Sequence, residues 1–293
     1  MLENWLILYY QKMMSKNMVW LSSYPKSGRT WLKIVLESAL VNNGGKVDIN
    51  DLKLTSAFTF NRISFDAYFG VPSSDLYQTE INSLKRKYLL DTFKNVSEQK
   101  IILTHDLNEK LPEGLLFPEE ITASAIQIVR NPLSIVGSLA NYLKLTIDES
   151  IDYLNGEFHA KRGRDYLSTT LVRKSECSWS DYVSSWIENK NYPTLVLRYE
   201  DLVQDPLKTA TMLFDFLNHK IEPQTILDAL DNCSFQNLSK SERLIGFNEK
   251  PATAQTFFRK GSIDSWKDEL NASQVKRVID VNSVMMEKFG YGL

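Results

Sequence analysis

The segment Ser22–Trp31, "SSYPKSGRTW", joins a short apolar run to a longer one and carries the residue types of a phosphate loop. Set against the template G-x-x-x-x-G-K-[ST], it keeps Gly28 and Thr30. Ser23 stands for the first glycine, Arg29 stands for the lysine, and the loop's own lysine, Lys26, lies two residues before Gly28. A strand, a turn and a helix in that order converge backbone N–H groups on an anion. Gly28 lets the backbone come close, while Ser27 and Thr30 add hydroxyl donors. A lysine at the crown of the loop suits a shorter phosphate chain whose reactive end lies near Lys26. It also removes the main argument for a bound magnesium ion. A second stretch, "IVRNPLSIVGS", sets Arg130 at a strand end and Ser138 eight residues later, on the second turn of the following helix. The arginine is a forked, permanent cation that matches a phosphate. Alone it would read as a strand-end ion pair; behind such a loop it reads as a phosphate ligand. A third stretch, "KIILTH", ends in His105 at the carboxyl edge of a strand, where open α/β sheets bind ligands. Imidazole titrates near neutrality and suits a general base. The other two of the three histidines, His159 and His219, read as structural groups.

These residues need strands that end together. Short apolar runs at 18–23, 100–105, 124–130 and 194–200 have the length and the Val, Ile and Leu content of strands buried on both faces. Helical patterns follow them. "TWLKIVLESALVN" collects Leu32, Val35, Leu36, Ala39 and Leu40 on one face, and "PLSIVGSLANYLK" starts with proline where its missing N–H is harmless. "DPLKTATMLFDFLN" opens on Asp205 as N-cap. The alternation predicts one α/β domain over 1–293, with its core at 17–290: a central parallel sheet flanked by helices, opened by the strand–loop–helix of the phosphate loop. Stretches 45–95 and 145–180 read as insertions lining a site. The run "FTFNRISFDAYFG" brings Phe58, Phe60, Phe65, Tyr68 and Phe69 close together, as a wall for an apolar or aromatic ligand or as core packing.

Bulk composition is that of a globular protein, with 43% hydrophobic and 24% charged residues. A net charge of −2 argues against nucleic acid as a partner, and two cysteines support neither a disulfide framework nor a zinc site. The apolar run Trp5–Tyr10 is too short to span a bilayer, and the start lacks a signal peptide's pattern. The expected location is cytoplasmic, with no membrane span and no metal.

The loop resembles that of the cytosolic sulfotransferases, which reads Tyr-Pro-Lys-Ser-Gly-Thr-Thr-Trp. Tyr24, Pro25, Lys26, Ser27, Gly28, Thr30 and Trp31 match, and Arg29 replaces the first threonine. The resemblance implies a P-loop-like sulfotransferase fold and 3′-phosphoadenosine 5′-phosphosulfate (PAPS) as donor. It gives Lys26, Ser27, Gly28, Arg29 and Thr30 to the 5′-phosphosulfate, and Arg130 and Ser138 to the 3′-phosphate. "RYEDLVQDP" resembles the family's Tyr-Glu-Asp segment and puts Tyr199 near the base, while "CSFQNL" supplies Phe235 to sandwich adenine with Trp31. "FFRKGSIDSWKDEL" resembles the Arg-Lys-Gly motif, so Arg259, Lys260 and Gly261 would complete the 3′-phosphate cage. Thr104-His105 matches the end of the family's Lys-Thr-His, with Leu103 in place of the lysine. The implied catalytic residues are Lys26, His105 and Ser138. The family's dimer segment is absent, which leaves the oligomeric state open.

The expectation is therefore a sulfotransferase that moves a sulfuryl group by in-line displacement to a hydroxyl, or else an amine, of a small or medium-sized acceptor. Two alternatives stand beside it: a kinase using ATP and magnesium, and a nucleotide-binding module without catalysis. Retention of both Lys26 and His105 weighs against the last.

Overall fold

The computed structural model describes residues 16–57, 60–158, 176–251, 254–259 and 261–292. Five strands form one sheet: β1 (Met18–Ser23), β2 (Thr55–Ala57), β3 (Lys100–Thr104), β4 (Thr122–Val129) and β5 (Thr194–Arg198). Their order across the sheet is β2-β3-β1-β4-β5, and every neighbouring pair is parallel. Strand β1 is central because each of its six residues is buried. Alternation divides its side chains between the two faces. Met18 and Trp20 join one apolar cluster and Val19 and Leu21 join another. Helix α1 (Arg29–Leu40) covers the second face with Leu32, Leu36 and Ala39.

Helices α2 (Arg62–Phe69) and α3 (Gln78–Phe93) follow β2, and α4 (Pro132–Leu143) and α5 (Ile147–Leu154) follow β4. Then come α6 (Trp179–Ile187), α7 (Tyr199–Gln204), α8 (Pro206–Phe216), α9 (Pro223–Asn232), α10 (Phe235–Ile245) and, after a single turn at Trp266–Glu269, α11 (Ala272–Lys288). Among the described residues no helix is long and apolar enough to cross a membrane. The N-cap signals act as expected: the Asp205 side chain accepts from Lys208 N–H at 3.3 Å, and Asn131 accepts from Leu133 N–H ahead of the proline that opens α4.

Two features differ from the sequence reading, and a third decides between its alternatives. The run at 194–200 leaves the sheet at Arg198, so Tyr199 begins a helix and is not the end of a strand. Glu200 and Asp201 sit in that first turn, where the helix dipole favours negative charge. The stretch 45–95 contributes a sheet edge, β2, whose three residues are too few to show an apolar run. In the aromatic run around α2, Phe60 and Phe65 belong to the core and Phe69 packs against it, while Tyr68 is exposed. Asn61 caps the helix, and Phe60 before the cap meets Phe65 after it with ring centroids 6.1 Å apart, a hydrophobic staple. Both rings also pack on Tyr88. Phe60 and Phe65 are 5% and 1% exposed, so they wall no ligand; Phe58 lies outside the described residues.

Candidate functional site

Strand β1 lies where the sheet's connections turn to opposite sides, which places a crevice beyond its carboxyl end. Four segments leave the sheet there: the loop after β1, His105 after β3, Arg130 after β4 and Tyr199 after β5. They line one cavity of about 1060 Å³. Single-ligand pockets span roughly 300–1,000 Å³, so this one has room for two reactants.

The loop is built for an anion. Ser27 N–H closes a turn on the Tyr24 carbonyl at 3.2 Å, and Lys26 takes the left-handed region at φ 70°. Gly28 has φ 98°, and a Cβ there would lie 2.6 Å from the Tyr199 ring, so only glycine fits. Leu32 N–H bonds back to the Gly28 carbonyl at 3.2 Å, and the N–H groups of Arg29, Thr30 and Trp31 precede that bond at the positive end of α1. Ser27 Oγ is buried with no hydrogen-bond partner among the described residues, and so is Arg130 Nε. Buried polar atoms without partners cost stability unless a ligand satisfies them.

Three cations converge on this loop. Arg130 donates from Nη1 to the Lys26 carbonyl at 3.1 Å and from Nη2 to the Ser262 carbonyl at 3.0 Å. Its guanidinium also stacks 4.3 Å from the Tyr199 ring centre. Arg259 is held in two-point contact by Glu269, at 2.9 and 3.2 Å. Gly137 on α4 makes room for that pair, since a Cβ there would collide with the Glu269 carboxylate. Lys26 Nζ sits between Tyr142 and Phe257, 4.2 Å from each ring centre. Burial, then the charges of Arg130 and Arg259, pull the Lys26 ammonium from 10.5 down to about 8. Burial likewise lowers Arg130 from its ordinary value. The three charges repel one another in a water-poor place, an arrangement relieved by a bound polyanion.

His105 has a defined tautomer. Its Nδ1 lies 2.6 Å from the Ser23 carbonyl oxygen. A carbonyl only accepts, so Nδ1 carries the proton and Nε2 carries the lone pair of the neutral ring. The neighbouring carboxylate, Asp106, is 4% exposed, lines no part of the cavity and is paired with Lys85 at 3.3 Å. His219 follows α8 away from the cavity, and His159 lies outside the described residues.

Of the remaining expected residues, Thr30, Trp31, Ser138, Phe235 and Gly261 all line the cavity. Trp31 is fixed by its indole N–H to the Cys233 carbonyl at 2.7 Å. Gly261 lies so near Phe235 that a Cβ would come within 2.7 Å of the ring. The Tyr199 hydroxyl donates to the Gly261 carbonyl at 3.3 Å. Lys260 lies outside the described residues. Among the described residues no group of three His, Cys, Asp or Glu side chains stands close enough to hold a metal ion.

Sequence reasoning missed three tyrosines that line the cavity beside Tyr24: Tyr142, Tyr153 and Tyr182. Tyr142 had a local signal, because Ser134, Ser138 and Tyr142 repeat every four residues along one face of α4 and all line the cavity. Tyr182 had none; it reaches the site from α6 through a 2.8 Å hydrogen bond to Ser22. Phe257 is placed by Glu242, whose carboxylate accepts from the Phe257 and Phe258 N–H groups at 2.7 and 3.0 Å. The stretches 45–95 and 145–180 do reach the cavity, through Arg62, Ser73 and Ser74 and through Tyr153, Phe158, Glu176 and Cys177.

Comparison with known proteins adds to this geometry. A family model described as the sulfotransferase domain matches residues 16–290. Mouse Sulfotransferase 1A1 is 27% identical over 267 residues, covering 87% of this chain and 80% of the relative. Flavonol 3-sulfotransferase from Flaveria bidentis is 23% identical, covering 94% of this chain and 82% of that one. Among solved structures, mouse sulfotransferase SULT7A1 complexed with PAP aligns over 96% of this chain and 88% of its own, with a TM-score of 0.60 at 20% identity. Retinol dehydratase in complex with androsterone and inactive cofactor PAP aligns over 94% and 83%, with a TM-score of 0.60 at 15% identity. These two show the fold.

Proposed function

The chain belongs to the sulfotransferase family and is a PAPS-dependent sulfotransferase, and from that premise we propose that it sulfates a hydroxyl group of a small or medium-sized acceptor with His105 as general base. One observation carries the reading. The carboxyl ends of three adjacent strands deliver Lys26, His105 and Arg130 into a single cavity large enough for two reactants.

The donor supplies an activated sulfuryl group; the chain supplies position and charge. The N–H groups at the start of α1, with Ser27, Thr30 and Lys26, hold the 5′ end of the donor. Arg130, Ser138 and Arg259, with Lys260, hold the 3′-phosphate, and Trp31, Phe235 and Tyr199 take the base. The unsatisfied Arg130 Nε supports this assignment, since it has a donor to give and no protein acceptor among the described residues; Ser27 Oγ is also unsatisfied, but Ser27 is buried and is not among the residues that line the cavity. His105 Nε2 takes the acceptor's hydroxyl proton as the oxygen attacks sulfur. The bond from sulfur to the phosphate oxygen breaks, and Lys26 offsets the charge left on that phosphate. Two relatives support small-molecule acceptors by their printed ligands or names, androsterone and a flavonol.

The test measures binding first and turnover second. Calorimetry should give tight binding of 3′-phosphoadenosine 5′-phosphate (PAP) in EDTA and weaker binding of ATP with magnesium. Labelled sulfate should then pass from PAPS to at least one member of a panel of phenols, sterols and alcohols. Tighter binding of magnesium ATP than of PAP would overturn the donor assignment. PAP binding with no transfer to any member would overturn the acceptor class.

A further inference from the structure

Arg29 is the one residue of the phosphate loop that breaks its motif, and the cavity gives its side chain a setting unlike that of the other cations. It is the first residue of α1 and lines the cavity. Among the described residues its guanidinium has no hydrogen bond and no ion pair. The charges that bear most on Lys26 are Arg130 and Arg259. Those that bear on Arg29 are Tyr182, Glu249 and Tyr142. Arg29 lines the cavity together with Tyr142, Tyr153 and Tyr182, and Tyr142 also meets the Lys26 ammonium, so this wall stands beside the donor-side lysine. That wall also reaches the strand ends that hold His105: Tyr182 bonds Ser22, and His105 bonds the next residue, Ser23. Glu249, the one acid among its electrostatic partners, is already engaged by Lys33. Burial draws the Arg29 guanidinium down from 12.5 to about 10, so it stays charged at neutral pH without a partner. Tyr142, Tyr153 and Tyr182 are pushed up by burial and remain neutral, so they do not neutralise it.

We infer that Arg29 determines acceptor specificity: its guanidinium receives a carboxylate on an acceptor whose aromatic or alicyclic body lies against Tyr142, Tyr153 and Tyr182. A guanidinium presents two parallel N–H groups to a carboxylate, in charge-assisted bonds roughly twice as strong as neutral ones. The apolar wall rewards a flat hydrocarbon body, and the acceptor hydroxyl is then held near His105. This rests on the sulfotransferase reading given above and names the substrate class for the same site.

The experiment uses matched pairs: hydroxylated one-ring, two-ring and four-ring carboxylic acids, each beside its methyl ester. Binding of each to the complex of enzyme and PAP is measured by calorimetry, and kcat and KM are measured with PAPS. The wild-type protein should prefer the acid over its ester by about 10- to 100-fold in Kd in at least one pair, the worth of a charge-assisted, two-point contact. Arg29→Met should erase that preference by raising Kd and KM for the acid alone, and Arg29→Lys should restore part of it. The acid-to-ester ratio is taken within each variant, so a change in overall folding or donor affinity cancels. No acid preference in any pair, including no binding at all, overturns the inference. So does an equal loss for acid and ester accompanied by weaker PAP binding, which would return Arg29 to the phosphate loop. Absence of PAP binding by the wild-type protein would be a failure of the sulfotransferase reading, and it is read in a separate titration.

Discussion

Replacing Lys26 with methionine should remove activity and make the ligand-free protein more stable. In the folded protein the ammonium titrates at about 8 against an ordinary 10.5. The depressed value means the unfolded chain holds this proton more tightly than the native one. The charge therefore destabilises the fold fully below about pH 8, and the effect fades as pH rises toward 10.5. The shift corresponds to about 3 kcal/mol at most. The partial exposure of Lys26 to the cavity reduces this, and the two ring faces at 4.2 Å return ~0.5–2 kcal/mol. The net gain for Lys26→Met is about 1–2 kcal/mol at neutral pH, a rise of a few degrees in Tm. Donor affinity follows the same proton. Only the ammonium attracts a phosphate, and its populated fraction falls from roughly nine parts in ten at pH 7 to one in ten at pH 9. Calorimetric affinity for PAP should drop about tenfold across that interval in the wild-type protein and stay level in Lys26→Met. Turnover of the variant should fall by ~10²–10³, as for other single electrostatic stabilisers of a transition state. A variant that keeps half of wild-type turnover, or a Tm that falls by several degrees at pH 7, would refute the reasoning. So would a wild-type PAP affinity that is flat from pH 7 to pH 9.

Three further substitutions test separate parts of the site. His105→Asn should lower kcat by about 10²-fold or more, leave PAP affinity nearly intact, and abolish the acidic limb of the kcat profile; a variant that retains this limb would move the base elsewhere. Arg130→Ala should weaken PAP by about 10- to 100-fold, and should weaken adenosine 5′-phosphosulfate by a smaller factor, because the same guanidinium braces the Lys26 and Ser262 carbonyls. Equal losses for the two ligands would make Arg130 a brace alone. Gly28→Ala places a Cβ 2.6 Å from the Tyr199 ring at φ 98°, so thermal unfolding should show a loss of ~1–3 kcal/mol together with weaker PAP binding; an unchanged Tm would mean that the loop relaxes freely.

The parts of the site that were legible in the sequence are those fixed by local spacing. The loop from Tyr24 to Trp31, the pair Arg130 and Ser138, and Thr104-His105 each sit on a strand end or the following helix, so their geometry follows from the element they occupy. What stayed hidden depends on packing between distant segments. Nothing near Lys26 announces that Phe257 will cap it, because that contact depends on Glu242 holding the backbone of residues 257 and 258. Nothing near Arg259 names Glu269 as its partner. The aromatic run at 60–69 left two readings open for a related reason. Composition alone does not separate a staple from a wall, and only the Asn61 cap, which puts Phe60 and Phe65 on either side of it, decides between them.

The way each cation is held suggests a division of labour. Arg130 is fixed by two carbonyls and a tyrosine face, and Arg259 by a two-point carboxylate contact. Fixed guanidinium groups position a ligand at little cost in side-chain ordering. The Lys26 ammonium, among the described residues, has neither hydrogen bond nor ion pair, and only two ring faces hold it. Such contacts are weak enough to exchange for a developing oxyanion and strong enough to keep the charge from wandering. Desolvation and the two neighbouring arginines raise the free energy of that charge before any ligand arrives. An approaching phosphate therefore removes repulsion as well as adding attraction. The gain is largest where negative charge accumulates during transfer, at the leaving oxygen. The same strain that lowers the stability of the ligand-free protein thus becomes differential binding of the transition state.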